Sequence, residues 1–464
     1  MKHIIPFFCI YLVLLFVSGC RNKHSDSQGA TSTFRDLPQI KDSGELVVLT
    51  LYSSTTYFNY RGQEMGIQYE LCQQLAQSLG LQLKIQIARN PKDLIEKLKA
   101  GEGDLIAYHL PVTRKHKGEI LYCGEEAVTH QVLVQRSGGK TKPLKEVTEL
   151  IGKEIYVKPG KFYNRLINLN EELGGGIQIH LIKNDSITME DLIRQVAQKK
   201  IDYTVAENDI ARLNKTYYPN LNINLSVSFD QRVSWAVRKE CVELAQAINK
   251  WSKKNTSSPQ YTASMKRYFE QSKSIPHSPI LSVREGRISH YDHLFKKYAS
   301  EIGWDWRLMA SLAYTESNFD TAAVSWAGAK GLMQLMPATA RAMGVPAGKE
   351  QNAEESIKAA TRYIAATGKS FSQIPSEERI HFILASYNSG IGHVFDAMAL
   401  AEKYGKNKYV WRNNVEKFIL LKSNEQYFTD PVCKNGYFRG IETYNFVRDI
   451  TDRYEHYKKL IKRH

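Results

Sequence analysis

Cysteine is scarce in this chain, with six in 464 residues, and none stands in a C-x-x-C pair. Zinc-ribbon and dithiol redox spacings are therefore excluded, and no metal or organic cofactor is implied. No zinc-finger spacing, recognition helix or RRM motif is present. Nucleic acid is thus the weakest of the anionic partners that a formal net charge of +15 would suit. Anionic lipid and an acidic polymer fit that charge better. Long apolar runs are missing after residue 17. Internal repeats at solenoid periods and low-complexity runs are missing throughout, which removes repeat architectures. Hydrophobic content of 42% and charged content of 24% are ordinary for globular protein. A chain of this length exceeds one core, so two or three domains are expected.

The start of the chain is a processing signal in pattern. Met1-Lys2-His3 is basic, and residues 4–17 are nearly all apolar but too few to span a bilayer comfortably. Val17-Ser18-Gly19-Cys20 resembles a bacterial lipobox. That resemblance implies a signal peptide over 1–19 and lipidation of Cys20, with a plain secretory signal or an uncleaved anchor as alternatives. Arg21 follows the cysteine, where an aspartate would resemble an inner-membrane retention signal. The expectation is a lipid anchor in the outer membrane, facing the periplasm. Residues 20–43, rich in Ser, Asp, Gln, Gly and Thr, read as a flexible tether. Cys9 would leave with the signal. Cys72, Cys123, Cys241 and Cys433 are expected as small buried apolar residues, with no disulfide assigned.

Residues 44–268 alternate strand-like and helix-like runs: strands at 45–50, 81–88, 104–107, 154–157, 177–182 and 203–206, with helices between them. This predicts a two-lobed α/β domain with a largely parallel sheet and a cleft. Gly44-Glu45-Leu46-Val47-Val48, the run GIQYELCQQLAQSL from Gly66, Asp104-Leu105-Ile106 and DYTVAE at 202–207 resemble the family 3 solute-binding domains. The resemblance implies a ligand site using Thr113, His116 and Glu207. His116 stands where the family often has an arginine, and imidazole cannot make the bidentate fork of guanidinium. Glu207 stands where an aspartate often binds an amino group. The alternative is that these three are solvated loop residues.

Prolines at 259, 276 and 279 break the helical pattern, and the linker is placed at 269–287. From residue 288 to 464 helices dominate and no strand pattern is convincing. Within Trp306–Pro337, residues Leu308, Met309, Leu312 and Ala313 form one apolar face, and Glu316 falls on that stripe four residues on. Ser317 and Asn318 favour a helix end there. A carboxyl group aimed into an apolar surround holds its proton, as a general acid must. A glutamate bonded to backbone or to an arginine is the competing reading.

The run ESNFDTAAVSWAGAKGLMQLMP from Glu316, ASYNSG at 385–390 and ET-x-x-FV at 442–447 resemble the SLT family, the lysozyme-like domain of the lytic transglycosylases. Thr321, Ala360 and Phe446 depart from its usual Pro, Gly and Tyr. The resemblance implies an enzyme that cleaves the MurNAc-GlcNAc β-1,4 bond of peptidoglycan and leaves 1,6-anhydromuramic acid ends. It implies Glu316 as the acid/base, with Ser325, Met333, Gln334, Tyr387 and Asn388 as substrate-binding candidates. Alternatives are a lysozyme-type muramidase and a non-catalytic sensing lipoprotein. The expected partners are glycan strands, wall-derived peptides or amino acids in the first domain, and the membrane through the lipid anchor. Closure of the two lobes on such a ligand is expected to change access to Glu316; a mere spacer role is the alternative.

Overall fold

The computed structural model describes residues 35–138, 142–184, 187–273 and 286–461. Cys20, the apolar start and most of the 269–287 linker lie outside the described residues. Ordered structure begins earlier than composition suggests. Leu37–Ser43 is a helix with a capping box between Asp36 and Gln39, closed by Gly44 at φ 70°. The Asp36 carboxylate also accepts the backbone N–H groups of Glu243 and Leu244. The part of the tether next to the first strand is therefore bound to the domain.

The first lobe is a mixed five-stranded sheet. Its strands are β1 (Glu45–Thr50), β4 (Gln82–Ile87), β5 (Leu105–Pro111), β6 (Ile120–Thr129) and β12 (Gln231–Arg238), in the order β4-β1-β5-β12-β6. The β1, β4 and β5 strands are parallel, while β12 runs antiparallel to β5 and β6. The second lobe has the order β11-β7-β10-β8-β9, from β7 (Gln131–Arg136), β8 (Glu154–Val157), β9 (Gln178–Leu181), β10 (Tyr203–Glu207) and β11 (Leu221–Asn222). The chain crosses between lobes twice, near residue 130 and again before β12. Gln131 N–H donating to Ser228 Oγ at 2.8 Å ties the two crossings together. The antiparallel strands β6, β7 and β12 are the part that β-α-β alternation does not announce. Strands β2 (Phe58–Tyr60) and β3 (Gln63–Met65) form a separate hairpin.

Residues 288–461 are helical, with an apolar core around the buried helix Trp306–Ser317. Cys72, Cys123 and Cys241 are buried free thiols, and Cys433 is half-buried and free. Among the described residues no helix is long and apolar enough to cross a membrane. A further apolar cluster joins the two domains: Phe58, Met65 and Ile67 from the first lobe and Tyr268 from the helix Pro259–Phe269 meet Ala327, Ala329, Met336 and Tyr437.

One buried ion pair fastens together three segments of the helical domain. Lys422 is fully buried against the Asp396 carboxylate, which also accepts the N–H groups of Lys434 and Asn435 at 3.0 and 2.9 Å. Breaking such a pair leaves a charge in a dry interior, at about 3–5 kcal/mol, whereas an apolar replacement of both partners is near neutral. Asp396→Ala is expected to lose at least about that much in urea unfolding of the helical domain, because the N–H groups of Lys434 and Asn435 lose their acceptor as well.

Candidate active site and the hairpin that fills it

The helix Trp306–Ser317 starts on Asp305, whose side chain accepts Arg307 N–H, and all its residues except Thr315 are buried. It stops at Asn318, in the left-handed region at φ 53°, with Phe319 at φ 63°. Two such residues in a row turn the chain sharply and leave Glu316 at the last turn. Ser317 Oγ donates to Leu332 O at 2.7 Å and fastens this helix end to the following glycine-rich loop. Glu316 is 6% exposed. Burial pushes its carboxyl group above the ordinary range, and a facing arginine opposes that rise.

That arginine is Arg61, and it belongs to the other domain. Its Nη2 donates to both Glu316 oxygens at 2.9 Å, and its Nη1 donates to Gln334 O at 2.7 Å. Burial works against the Arg61 charge, but the Glu316 carboxylate outweighs it and holds the guanidinium protonated. Arg61 and Gly62 form the two-residue loop between β2 and β3, both at positive φ (52° and 75°), as a type I′ hairpin turn requires. The hairpin enters the groove closely. Arg61 N–H donates to Ser389 O at 3.3 Å, and a Cβ on Gly390 would come within 3.0 Å of Gly62 N. His393 Nε2 donates to Asn59 O at 3.1 Å, while its Nδ1 accepts from Lys422 Nζ at 3.3 Å.

The candidate sugar contacts are all engaged within the protein here. Ser325 Oγ accepts Ala329 N–H at 3.0 Å, and Gln334 Nε2 donates to Ala323 O and Gly331 O. Tyr387 OH donates to Met333 O at 2.7 Å, so it braces the loop next to Glu316 and does not bond the acid. Met333 is fully buried, and Asn388 Oδ1 accepts from Thr443 Oγ1 at 2.7 Å. Asp320 is exposed and bonds the Ala322 N–H, away from any role as a second carboxylate.

In the first domain a cavity of about 930 Å³ lies between the lobes. His116 and Glu207 line it. Thr113 instead caps the short helix Arg114–Lys117 by accepting His116 N–H. Glu207 pairs with Lys161 at 2.6 Å and accepts from Thr129 Oγ1 at 2.6 Å. Sequence reading missed Lys161, His109 and Asp209, which also line the cavity. It missed the hairpin as well, although an Arg-Gly step between two short strands was the available signal. A node beneath the cavity joins three parts of the molecule. Glu190 of the second lobe accepts from Ser54 of the first lobe at 2.6 Å, from Tyr437 at 3.2 Å, and from Arg439.

This arrangement, a two-lobed solute-binding fold docked on a helical domain over the buried Glu316 carboxyl group, defines a modular glycan-cleaving class. The family model for the transglycosylase SLT domain matches residues 293–410, and that for bacterial extracellular solute-binding proteins, family 3, matches residues 46–271. The chain is 30% identical over 427 residues to membrane-bound lytic murein transglycosylase F of Desulfosudis oleivorans, covering 91% of this chain and 92% of the relative. It is 30% identical over 460 residues to the protein of that name from Aeromonas hydrophila, covering 98% of this chain and 89% of the relative. Among solved structures, an ancestral cationic amino acid solute-binding protein matches 50% of this chain and 99% of its own, at 19% identity and a TM-score of 0.44. The chain belongs to the membrane-bound lytic murein transglycosylase F family.

The burial of His393 beside Lys422 makes this part of the helical domain sensitive to acid, because a second ring proton would face the Lys422 ammonium. Burial, with Lys422 beside it, pushes the His393 pKa down to about 3. An unfolded histidine titrates near 6.5. The folded state therefore binds fewer protons, and this contribution is complete above about pH 6.5 and is lost as pH falls toward 3. Between pH 6.5 and 5 the unfolding free energy of the full chain should fall with a slope of up to about 1.4 kcal/mol per pH unit from this group. His393→Gln keeps a donor for Asn59 O and should flatten that slope; an identical slope in both proteins would remove His393 from the account.

Proposed function

We infer that this chain is a peptidoglycan lytic transglycosylase in which Glu316 serves first as acid and then as base. The observation that carries the reading is the buried Glu316, with its carboxyl group raised by burial and, among the described residues, no second carboxylate acting on it. An ordinary glycosidase uses two carboxylates. Here Glu316 protonates the glycosidic oxygen between muramic acid and glucosamine, and the bond to C1 breaks. The N-acetyl oxygen of muramic acid shields the cationic centre from one face. Glu316, now ionised, takes the proton of that sugar's C6 hydroxyl, whose oxygen attacks C1. A 1,6-anhydro ring forms without water, helped by the high effective molarity of an attached nucleophile. Ser325, Gln334, Tyr387 and Met333 support this site by shaping the loop beside the acid, and Asn388 lines the groove.

The groove contacts support a regulated enzyme. With Arg61 on Glu316 the acid is blocked, and substrate has no room. The segment Tyr52–Thr56 lines the interlobe cavity and leads directly into the Arg61 hairpin. A ligand held there by Glu207, Lys161 and His116 would move the strand that carries Arg61, provided its affinity differs between the two arrangements. A wall-derived peptide or amino acid, with an amino group for Glu207, suits the cavity. The relatives are named membrane-bound, and a lipid on Cys20 anchoring the protein in the outer membrane is the matching proposal for this chain.

Glu316→Gln should fold normally and lose lytic activity by at least about 10²–10⁴-fold. Product masses from purified peptidoglycan should show anhydro ends for the parent protein; reducing muramic ends would point to a muramidase. Arg61→Ala removes a charge-assisted bond, so basal lysis should rise about 10–100-fold before any ligand is added. An unchanged basal rate in Arg61→Ala would contradict the blocking role.

A further inference from the structure

Trp326 is left over by the mechanism. It follows Ser325 in the catalytic loop and packs against the hairpin, with its ring 5.6 Å from the ring of Tyr60. Tyr60 and Arg61 are consecutive, and they reach Trp326 and Glu316 respectively. The gap that remains between hairpin and groove is about 20 Å³, and Trp326, Asn388, Ser389 and Glu442 share its lining. Trp326 therefore borders the same gap as Asn388, and its hairpin partner Tyr60 is the residue next to the one on Glu316.

We propose that Trp326 is a sugar-stacking platform of the catalytic groove, and that the hairpin occupies its place as a substrate mimic, with Tyr60 covering the platform and Arg61 the acid. The ligand of this platform is the pyranose ring of a glycan residue next to the scissile bond. The proposal rests on the transglycosylase reading above.

The loop fixes the backbone that carries the indole through its own hydrogen bonds. Ser325 N–H donates to Ala329 O at 2.9 Å, Gly328 N–H donates to Ser325 O at 3.0 Å, and Ala329 N–H donates to Ser325 Oγ at 3.0 Å. Gly328, at φ 89°, closes that turn. An indole carried on a backbone held in this way can receive the apolar face of a sugar, because it offers a large flat surface with few rotamers to lose. Tyr268 meets the indole edge-on, and Lys273 Nζ lies 4.9 Å from the ring centroid. Tyr60 is the covering group that withdraws with Arg61, since both belong to the hairpin.

The competing role for Trp326 is adhesion between domains, and kinetics on the full chain separate the two. Initial rates on soluble peptidoglycan glycan strands are measured for Trp326→Ala and Trp326→Phe, each with Arg61 present and with Arg61→Ala. A platform predicts that Trp326→Ala raises KM about 10-fold at a retained kcat in the Arg61→Ala protein, and that Trp326→Phe restores most of the loss. Adhesion alone predicts a higher basal rate for Trp326→Ala with Arg61 present, and a KM within about twofold of the parent in the Arg61→Ala protein; that outcome overturns the proposal. If Arg61→Ala gains no basal rate, the blocking role fails by itself, and KM in the Arg61-containing proteins still decides Trp326. Thermal unfolding of each variant checks that a KM change is not loss of fold.

Discussion

The ion pair between Arg61 and Glu316 is the constraint on which this structure depends. It joins a hairpin turn of the solute-binding fold to the last turn of the most buried helix in the catalytic domain. Both partners are nearly removed from water. A buried pair of this kind contributes less to stability than its short distances suggest, because both charges lose hydration. Its strength lies in being all-or-none. A guanidinium cannot slide partly off a carboxylate in a dry groove without leaving an unpaired charge, so the docked and undocked arrangements are separated cleanly.

The surrounding contacts fit that reading. Gly390 leaves space for the hairpin backbone, and Gly436 leaves space for the Tyr52 ring, where a Cβ would lie 2.0 Å from it. The Glu190 node fastens the second lobe to the catalytic domain while the hairpin fastens the first. The two lobes therefore cannot shift relative to each other with both attachments intact. A cavity between lobes, a Glu316 covered by Arg61 and two separate anchors on one helical domain form a single mechanical unit.

Much of this was legible in the residues. The position of Glu316 followed from helical spacing, and the helix ends where Ser317 and Asn318 predicted. The alternation of strands and helices gave two lobes, and His116 and Glu207 do line the cavity. Other features were hidden for physical reasons. The strands β6, β7 and β12 pair antiparallel across long separations, which no local period records. Thr113 matched a ligand motif in type, but its oxygen caps a short helix by accepting the His116 N–H. Tyr387 carries a hydroxyl near the acid, yet a loop carbonyl takes it. Residues 37–43 look polar enough for a tether, but their capping box and the Asp36 bonds fix them. Arg61 was the largest omission. Its partner lies 255 residues away in sequence, and an arginine in an exposed-looking Arg-Gly turn gives no local sign that it will be buried in another domain.

The most direct test of the account is the titration of the Glu316 carboxyl group itself in the full chain. Carbon-13 NMR of glutamate-labelled protein, with Glu316→Gln to assign the signal, can compare the parent with Arg61→Ala. Arg61 opposes the rise that burial imposes on Glu316, so its removal should move the Glu316 midpoint to higher pH. The same midpoint in both proteins would mean that Arg61 does not sit on the acid in solution, and would contradict the account.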